Sequence, residues 1–183
     1  MLVFPASVCY LEKQNQWDRA VIYLVEDWRS NKSDLDKLLC AATEVWFVLV
    51  FFEQLKFSGM IRKSVLLDYL DELSEYAFEH CSDEFLFNLF FGYMIALFPY
   101  FFSISGEDEQ EDSYDYKQQY GFSMCEEAYK LQPESSVAKL FCLGNGDDDD
   151  TFLEAARAAS EEIERVFPDG GGAVVDYFRG ILS

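Results

Sequence analysis

Residues Phe85 to Gly106 read FLFNLFFGYMIALFPYFFSISG, and this stretch decides between a membrane protein and a helical protein with a buried core. It carries no charged residue and approaches the length of a membrane-spanning helix. However, Asn88, Gly92 and Pro99 interrupt it, its flanks are acidic, and no Lys or Arg lies near either end. A central helix surrounded by other helices is also apolar on every face. We therefore expect a buried core helix that Pro99 brings to an end.

On both sides of this stretch, apolar residues recur at helical spacing. Trp17, Val21, Leu24 and Trp28 lie three or four residues apart, which places them on one face of a helix. Similar patterns predict a helix after Ser33 and another from about 62 to 80. Downstream, they predict helices over residues 116–132, 136–143 and 151–167, and a terminal amphipathic helix after three consecutive glycines.

Three of the predicted helices begin at a residue of a type that is common at the N-cap position. These residues are Ser33, Ser82 and Thr151, and Thr151 forms a capping box with Glu154. No stretch shows the alternation of apolar and polar residues that is typical of a β-strand, although residues 1–8 could pair as a minor strand. The sequence thus predicts an all-α fold, either an irregular multi-helix bundle or stacked helical hairpins.

The size and composition of the chain predict one domain with a real core. A length of 183 residues fits a single well-packed domain, and 50% hydrophobic with 17% aromatic residues excludes a disordered acidic chain. We therefore predict a single helical domain over residues 1–183. Acidic, non-periodic segments predict exposed loops at 106–115 and 144–150.

The net charge of the chain points to a basic partner. Asp and Glu number 34 against 14 Lys and Arg, which gives a formal net charge of −20. No cluster of Lys or Arg is present to neutralise phosphates, so nucleic acid and anionic membranes are excluded as partners. The first 105 residues carry a net charge of −7 and the remaining 78 carry −13. A basic protein is therefore expected to dock on the C-terminal part.

The five cysteines are widely spaced, odd in number and without a C-x-x-C motif. This pattern is neither a disulfide framework nor a zinc site. We expect free, buried thiols in a reducing compartment. The N-terminus lacks the basic region of a signal peptide, so the sequence predicts a cytoplasmic protein.

The chain lacks the residue patterns of the common catalytic and metal sites. His80 is its only histidine, which excludes two-histidine metal motifs and leaves few acid–base pairs. The glycines at 170–172 have neither the Lys nor the spacing of a phosphate loop. The acidic runs lack the glycine and the glutamate of an EF-hand. We predict no enzymatic activity, no cofactor and no metal.

Part of the chain resembles the tetratricopeptide repeat, a helix-turn-helix unit. Phe91-Gly92 resembles the paired large and glycine positions of its first helix, and Ala128, Leu131 and Pro133 have the spacing of its late positions. A second match uses Leu143-Gly144, Ala156, Val166 and Pro168. The resemblance covers about the last hundred residues, requires a large acidic insertion between the two helices, and implies stacked helical hairpins. An irregular bundle without repeats is the alternative.

In profile, a small, acidic, all-helical chain without catalytic motifs is similar to the immunity proteins of bacterial toxin systems, including contact-dependent growth inhibition. The resemblance implies a basic toxin as partner, often a nuclease, whose active site the acidic inhibitor occupies in place of a phosphate backbone. Tyrosines within the acidic runs would then act as aromatic anchors. The candidate contacts are Glu107, Asp108, Glu109, Glu111, Asp112, Tyr114, Asp115, Tyr116, Asp147, Asp148, Asp149 and Asp150.

The sequence therefore leaves two binding functions open. The leading interpretation is an immunity protein that neutralises a cognate basic toxin by charge-complementary occlusion. The alternative is a helical-repeat adaptor that binds a peptide segment of a partner protein. Salt dependence of binding separates the two, because only the first depends mainly on charge.

Overall fold

Helices follow one another along the chain, as the apolar spacing predicts. The computed structural model describes residues 2–57, 61–104, 113–143, 149–167 and 172–180. Its helices are α1 (Ala6–Lys13), α2 (Trp17–Ser30), α3 (Leu35–Val50), α4 (Lys63–His80), α5 (Phe85–Leu97), α6 (Tyr114–Leu131), α7 (Ser136–Leu143), α8 (Asp149–Val166) and α9 (Ala173–Gly180), with a 3-10 turn at Pro99–Phe101. Helices are the only regular structure in these ranges, which confirms the all-α class.

The chain divides into two compact units, and the division falls inside α4 and α8. Unit 1 comprises Met1–Ala77 and Glu164–Ile181, and unit 2 comprises Phe78–Ile163 with Leu182–Ser183. Unit 1 therefore contains α1 to α3, most of α4, and α9, whereas unit 2 contains α5 to α7 and most of α8. The single domain expected from the chain length stays a prediction.

Helix α3 forms the centre of unit 1. Every side chain from Leu38 to Leu49 is buried, and α2 and α9 pack against this helix. The ring of Trp46 meets Tyr177 of α9 edge-on, with 5.5 Å between the centroids. Trp28 of α2 meets Tyr76 of α4 in the same way at 5.4 Å. Each large apolar side chain buried here contributes about 1.5–3 kcal/mol, so these contacts hold together helices that are distant in sequence.

Helices α5 and α6 form the centre of unit 2 and cross at two glycines. A Cβ on Gly121 would lie 2.4 Å from the backbone nitrogen of Ala96, and a Cβ on Gly92 would lie 2.9 Å from that of Cys125. Both distances are far shorter than a van der Waals contact. The two backbones therefore approach this closely only because glycine stands at both positions. Helix α7 packs against both α5 and α6.

The Phe-rich stretch contains a buried core helix, as predicted. Helix α5 ends at Leu97, and Pro99 begins the 3-10 turn. Nine of its 13 residues are buried, so it is covered on nearly every face. Among the helices of the described ranges, none combines the length and the apolar character that crossing a bilayer requires.

The minor strand expected at residues 1–8 is wrong. Helix α1 begins at Ala6, directly after Pro5, whose φ of −57° suits the start of a helix. Upstream, the backbone N–H of Leu2 donates to the carbonyl of Val166 at 2.8 Å, an isolated bond to the end of α8. A strand needs another strand beside it, and the described residues of unit 1 offer none.

Two of the predicted caps are also wrong. Helix α3 is capped by Asp34 instead of Ser33, because the Asp34 carboxylate accepts a hydrogen bond from the backbone N–H of Lys37 at 3.2 Å. The residue at the N-cap of α5 is Glu84, without a side-chain cap bond, and not Ser82. Residues that favour the N-cap often follow one another in sequence. The residue directly before the first helical turn is the one that becomes the cap.

Helices α6 and α8 each begin two residues earlier than predicted. Tyr114 starts α6, so Tyr114 and Asp115 belong to a helix and not to the predicted loop. Asp149 starts α8, which places Thr151 inside the first turn and not at the cap, so the predicted capping box is wrong. Acidic residues interact favourably with the positive end of the helix dipole, which explains why both helices extend into acidic segments.

All five cysteines are free thiols, as predicted. Cys40, Cys81 and Cys125 are buried, while Cys9 and Cys142 are partly exposed. Burial raises the pKa of every one of them, and that of Cys142 reaches about 11. Because a protonated thiol is a poor nucleophile, these side chains act in packing.

Candidate acidic interface

Most of the predicted contact residues lie outside the described part of the chain. These are Glu107, Asp108, Glu109, Glu111, Asp112, Asp147 and Asp148. Asp149 and Asp150 form the first turn of α8, but their side chains also lie outside it. The described structure therefore places three predicted side chains, Tyr114, Asp115 and Tyr116, in the first turn of α6.

These three residues present two aromatic rings and a carboxylate to solvent. Ser113 caps the helix, since its Oγ accepts a hydrogen bond from the backbone N–H of Tyr116 at 3.2 Å. Tyr114 is 51% exposed and Tyr116 39% exposed. Exposed tyrosines beside a carboxylate can contact both apolar and cationic groups of a partner. Two exposed tyrosines and an exposed carboxylate thus lie at this helix end, and their contact with a partner stays a prediction.

The negative charge is distributed unevenly between the two units. Unit 1 carries 15 acidic and 10 basic residues, a net charge of −5. Unit 2 carries 19 acidic and 4 basic residues, a net charge of −15. Three quarters of the net charge of the chain therefore belong to unit 2, in which the predicted contact residues also lie.

Several Arg and Lys side chains of unit 1 form ion pairs with carboxylates of the same unit. Arg29 binds Glu72 and lies 2.6 Å from Glu26, and this contact with Arg29 lowers the pKa of Glu72. Lys37 lies 2.8 Å from Asp27. Arg179 donates two hydrogen bonds of 2.6 Å to the Glu164 carboxylate in a bidentate pair. These internal pairs reduce the charge that unit 1 offers to a partner.

Unit 2 contains exposed carboxylates without such partners. Glu127 lies 3.1 Å from Lys130 on α6. Within the described ranges, Asp115, Glu126 and Glu134 are exposed and make no ion pair, which is also true of Glu53 and Asp68 in unit 1. Unpaired surface carboxylates keep their attraction for an incoming cation, because no internal ion pair has to be broken first.

A cleft of about 500 Å³ lies in unit 2 between the end of α4, α5 and α6. Phe78, Phe87 and Tyr120 contribute aromatic walls, with centroid distances of 5.6 Å from Phe78 to Phe87 and 6.1 Å from Phe78 to Tyr120. Glu126 and Glu127, both exposed, supply negative charge to the lining. The cleft thus combines apolar walls with carboxylates, in the size range of ligand sites.

Asn88 is the buried polar residue of this cleft. It is only 5% exposed, and its Nδ2 donates to the backbone carbonyls of Ser82 at 2.7 Å and Glu84 at 3.1 Å. Its Oδ1 accepts no hydrogen bond from any residue that the structure describes. Because this oxygen makes no hydrogen bond within the described protein, it is available to an N–H group of a ligand in the cleft.

The cleft and the predicted Tyr116 lie along one face of α6. Tyr116 and Tyr120 are four residues apart, one turn of helix, and Glu127 lies two further turns along. Burial raises the pKa of Tyr120, and the neighbouring Tyr116 raises it further. The predicted contacts at the start of α6 therefore continue into a cleft that the sequence did not predict.

Two sequence signals could have indicated the cleft. Asn88 is the only Asn or Gln in the charge-free stretch from Phe85 to Gly106, and a polar residue in such a stretch often marks a site. Tyr116 and Tyr120 have helical spacing and are followed by two adjacent glutamates. Neither signal shows that Phe78 of α4 reaches the same place, because that depends on the packing of three helices.

Unit 1 contains a buried pair of carboxyl groups, Glu12 on α1 and Glu44 on α3. Glu44 is completely buried, and neither of its carboxyl oxygens makes a hydrogen bond with the described residues. Glu12 lies close enough to interact with it, and its Oε2 accepts from the backbone N–H of Ala173 at 2.8 Å. Burial raises the pKa of both groups, and the charge of Glu12 raises that of Glu44 further. The pair therefore holds a proton well above the pH at which a free carboxyl loses it.

Among the described residues, no three His, Cys, Asp or Glu side chains come together as a metal site. Comparison of the chain with protein-family models, with curated proteins and with solved structures gives no match. The function must therefore be inferred from the acidic interface itself.

Proposed function

We propose that this chain is an immunity protein that acts in the cytoplasm, where it binds and neutralises a cognate basic toxin, and that this toxin is a nuclease. The observation that carries the proposal is the charge of unit 2, in which 19 acidic residues oppose 4 basic ones. A nuclease binds the phosphates of its substrate with Lys and Arg, so its active site attracts carboxylates arranged on a protein surface. Bound there, the acidic face occludes the site against nucleic acid.

The exposed residues of α6 support this mode of binding. Asp115 and Glu126 have no internal ion pair in the described structure, so they are available to cations of the toxin. Tyr114 and Tyr116 expose rings beside Asp115, and tyrosine is enriched among the residues that dominate binding energy. Charge would then set the rate of association, while the rings would slow dissociation.

The alternative is a helical-repeat adaptor that binds a peptide segment, and one observation favours it. Helices α5 and α6 form a tight hairpin through Gly92 and Gly121, and α7 packs against both. Gly92 is one of the residues on which the resemblance to tetratricopeptide repeats rests. An adaptor of this kind would recognise short peptides largely through backbone and apolar contacts, with little dependence on salt.

Association kinetics test the proposal directly. The candidate partner is the product of a neighbouring gene with a basic C-terminal domain, and its nuclease activity is measured with and without this chain. We expect stoichiometric inhibition and an association rate constant that falls about tenfold or more from low to high salt. Inhibition that is absent, or an association rate that salt leaves unchanged, contradicts the proposal. Strong binding of uncharged peptides would favour the adaptor.

A further inference from the structure

The cleft of unit 2 has the chemistry of a site for a flat, cationic hydrogen-bond donor. Phe78, Phe87 and Tyr120 supply aromatic surface, Glu126 supplies an unpaired carboxylate, and the buried Asn88 supplies an amide oxygen without a donor. The aromatic rings favour a ligand that can stack, and the carboxylate favours a positive charge. The amide oxygen can accept a hydrogen bond from an N–H group.

We propose that this cleft accepts an arginine side chain of the basic partner. This inference rests on the proposed function, since it names the part of the partner that the acidic interface would take up. A guanidinium group is planar, always charged and carries five N–H donors, so it suits a cleft whose lining combines Tyr120, Glu126 and the amide of Asn88. A lysine ammonium satisfies the carboxylate but neither stacks nor bridges two acceptors in the same way.

Lys130 gives the inference an unusual test. It lines the cleft and lies 3.1 Å from Glu127, so it competes with an incoming cation for that carboxylate and repels it. Its removal should therefore strengthen the binding of arginine. If the cleft residues had only a structural role, loss of the Lys130–Glu127 ion pair would not raise the affinity for arginine.

The experiment titrates the full chain with three capped tripeptides, Gly-Arg-Gly, Gly-Lys-Gly and Gly-citrulline-Gly, and follows the ring resonances of Phe and Tyr by NMR. Citrulline has nearly the shape of arginine without its charge. We expect the arginine peptide to shift the resonances of Tyr120, Phe78 and Phe87, the lysine peptide to bind more weakly, and the citrulline peptide to leave the rings unchanged. Shifts that are equal for the arginine and lysine peptides, or that spare these rings, overturn the inference.

Matched variants locate the site. Glu126→Gln should weaken binding of the arginine peptide about threefold, and Lys130→Met should strengthen it about twofold, as expected for partly exposed charges. Glu134→Gln removes the same charge outside the cleft and should leave affinity nearly unchanged. Equal weakening by Glu126→Gln and Glu134→Gln shows nonspecific attraction, and no gain in Lys130→Met shows that Lys130 does not compete for the site; either result overturns the assignment.

These titrations do not need the toxin, so the two proposals can fail separately. If the arginine peptide misses the cleft while toxin binding keeps its steep salt dependence, the cleft assignment is wrong and the proposed function stands. If the arginine peptide binds as expected but basic toxins are neither bound nor inhibited, the proposed function is wrong. The cleft then remains an arginine site for another basic protein.

Discussion

The two units of this molecule differ in net charge and in the surroundings of their carboxylates. Unit 1 has a net charge of −5, pairs Arg29, Lys37 and Arg179 with its own acids, and buries the Glu12–Glu44 pair. Unit 2 has a net charge of −15 and exposes carboxylates without ion pairs beside aromatic rings. The comparison teaches that a net charge of −20 is not one property of the chain. In unit 1 some acids serve the fold and others, such as Glu53 and Asp68, are exposed, whereas unit 2 carries three times the net negative charge.

The largest effect on this comparison should come from the glycine crossing that holds unit 2 together. Gly121→Val places side-chain atoms where a Cβ alone would already lie 2.4 Å from a backbone nitrogen, and backbone cannot move aside as a flexible side chain can. We expect a loss of about 2–4 kcal/mol in the free energy of unfolding, measured by urea denaturation. Gly180→Ala in α9 is the control, because its Cβ would meet nothing within 4 Å. Similar losses in both variants would contradict the tight crossing.

The second effect is a dependence of stability on pH that originates in unit 1. The pKa of Glu44 is raised above its ordinary value of 4.5, so the folded protein keeps a proton that the unfolded chain releases. Stability should therefore fall as the pH rises above about 4.5. Glu44→Gln is neutral at every pH, so it should flatten this slope and stabilise the protein at pH 8 by about 1–3 kcal/mol.

Thermal or urea unfolding between pH 5 and pH 8 measures this slope. Glu53→Gln, an exposed residue of the same unit, is the control and should leave it unchanged. A Glu44→Gln protein that keeps the wild-type slope would show that the buried pair does not hold the proton.

A smaller effect is expected from the ion pairs of unit 1. Arg29→Met removes the ion pairs with Glu26 and Glu72. It also removes the cation–π contact with Tyr69, in which the guanidinium lies 5.3 Å from the centre of the ring. Because this side chain is one third exposed, water screens much of its charge, and we expect a loss of about 1 kcal/mol in the free energy of unfolding. Added salt should reduce the difference between variant and wild type. A difference that salt does not change would point to packing instead of charge.

The smallest effect should appear in the rate of association with the basic partner. Asp115→Asn combined with Glu134→Gln removes two unpaired charges from unit 2, and we expect association at low salt to slow about twofold. Glu53→Gln combined with Asp68→Asn removes the same charge from unit 1 and should slow it less. Stopped-flow measurements of both double variants compare the units at constant net charge. Equal slowing would show that charge location is unimportant.

The helices could be predicted from the sequence because local spacing determines them. Residues 136–143 form α7 as the pattern predicts, and the Phe-rich helix ends before Pro99. The cleft could not be predicted, since Phe78, Asn88 and Tyr120 belong to three helices and meet only through tertiary packing. The same holds for Glu44, whose burial follows from the helices that surround α3 and not from its neighbours in sequence.

The way in which unit 1 is assembled has a consequence for synthesis on the ribosome. Glu12 accepts a hydrogen bond from Ala173, a residue 161 positions later, and Leu2 donates to Val166, so unit 1 needs segments that are translated far apart in time. Residues 78–163 of unit 2 are contiguous and have all been made before the closing segment 164–181 appears. We therefore expect unit 2 to fold on the ribosome before α9, which completes unit 1, has been synthesised.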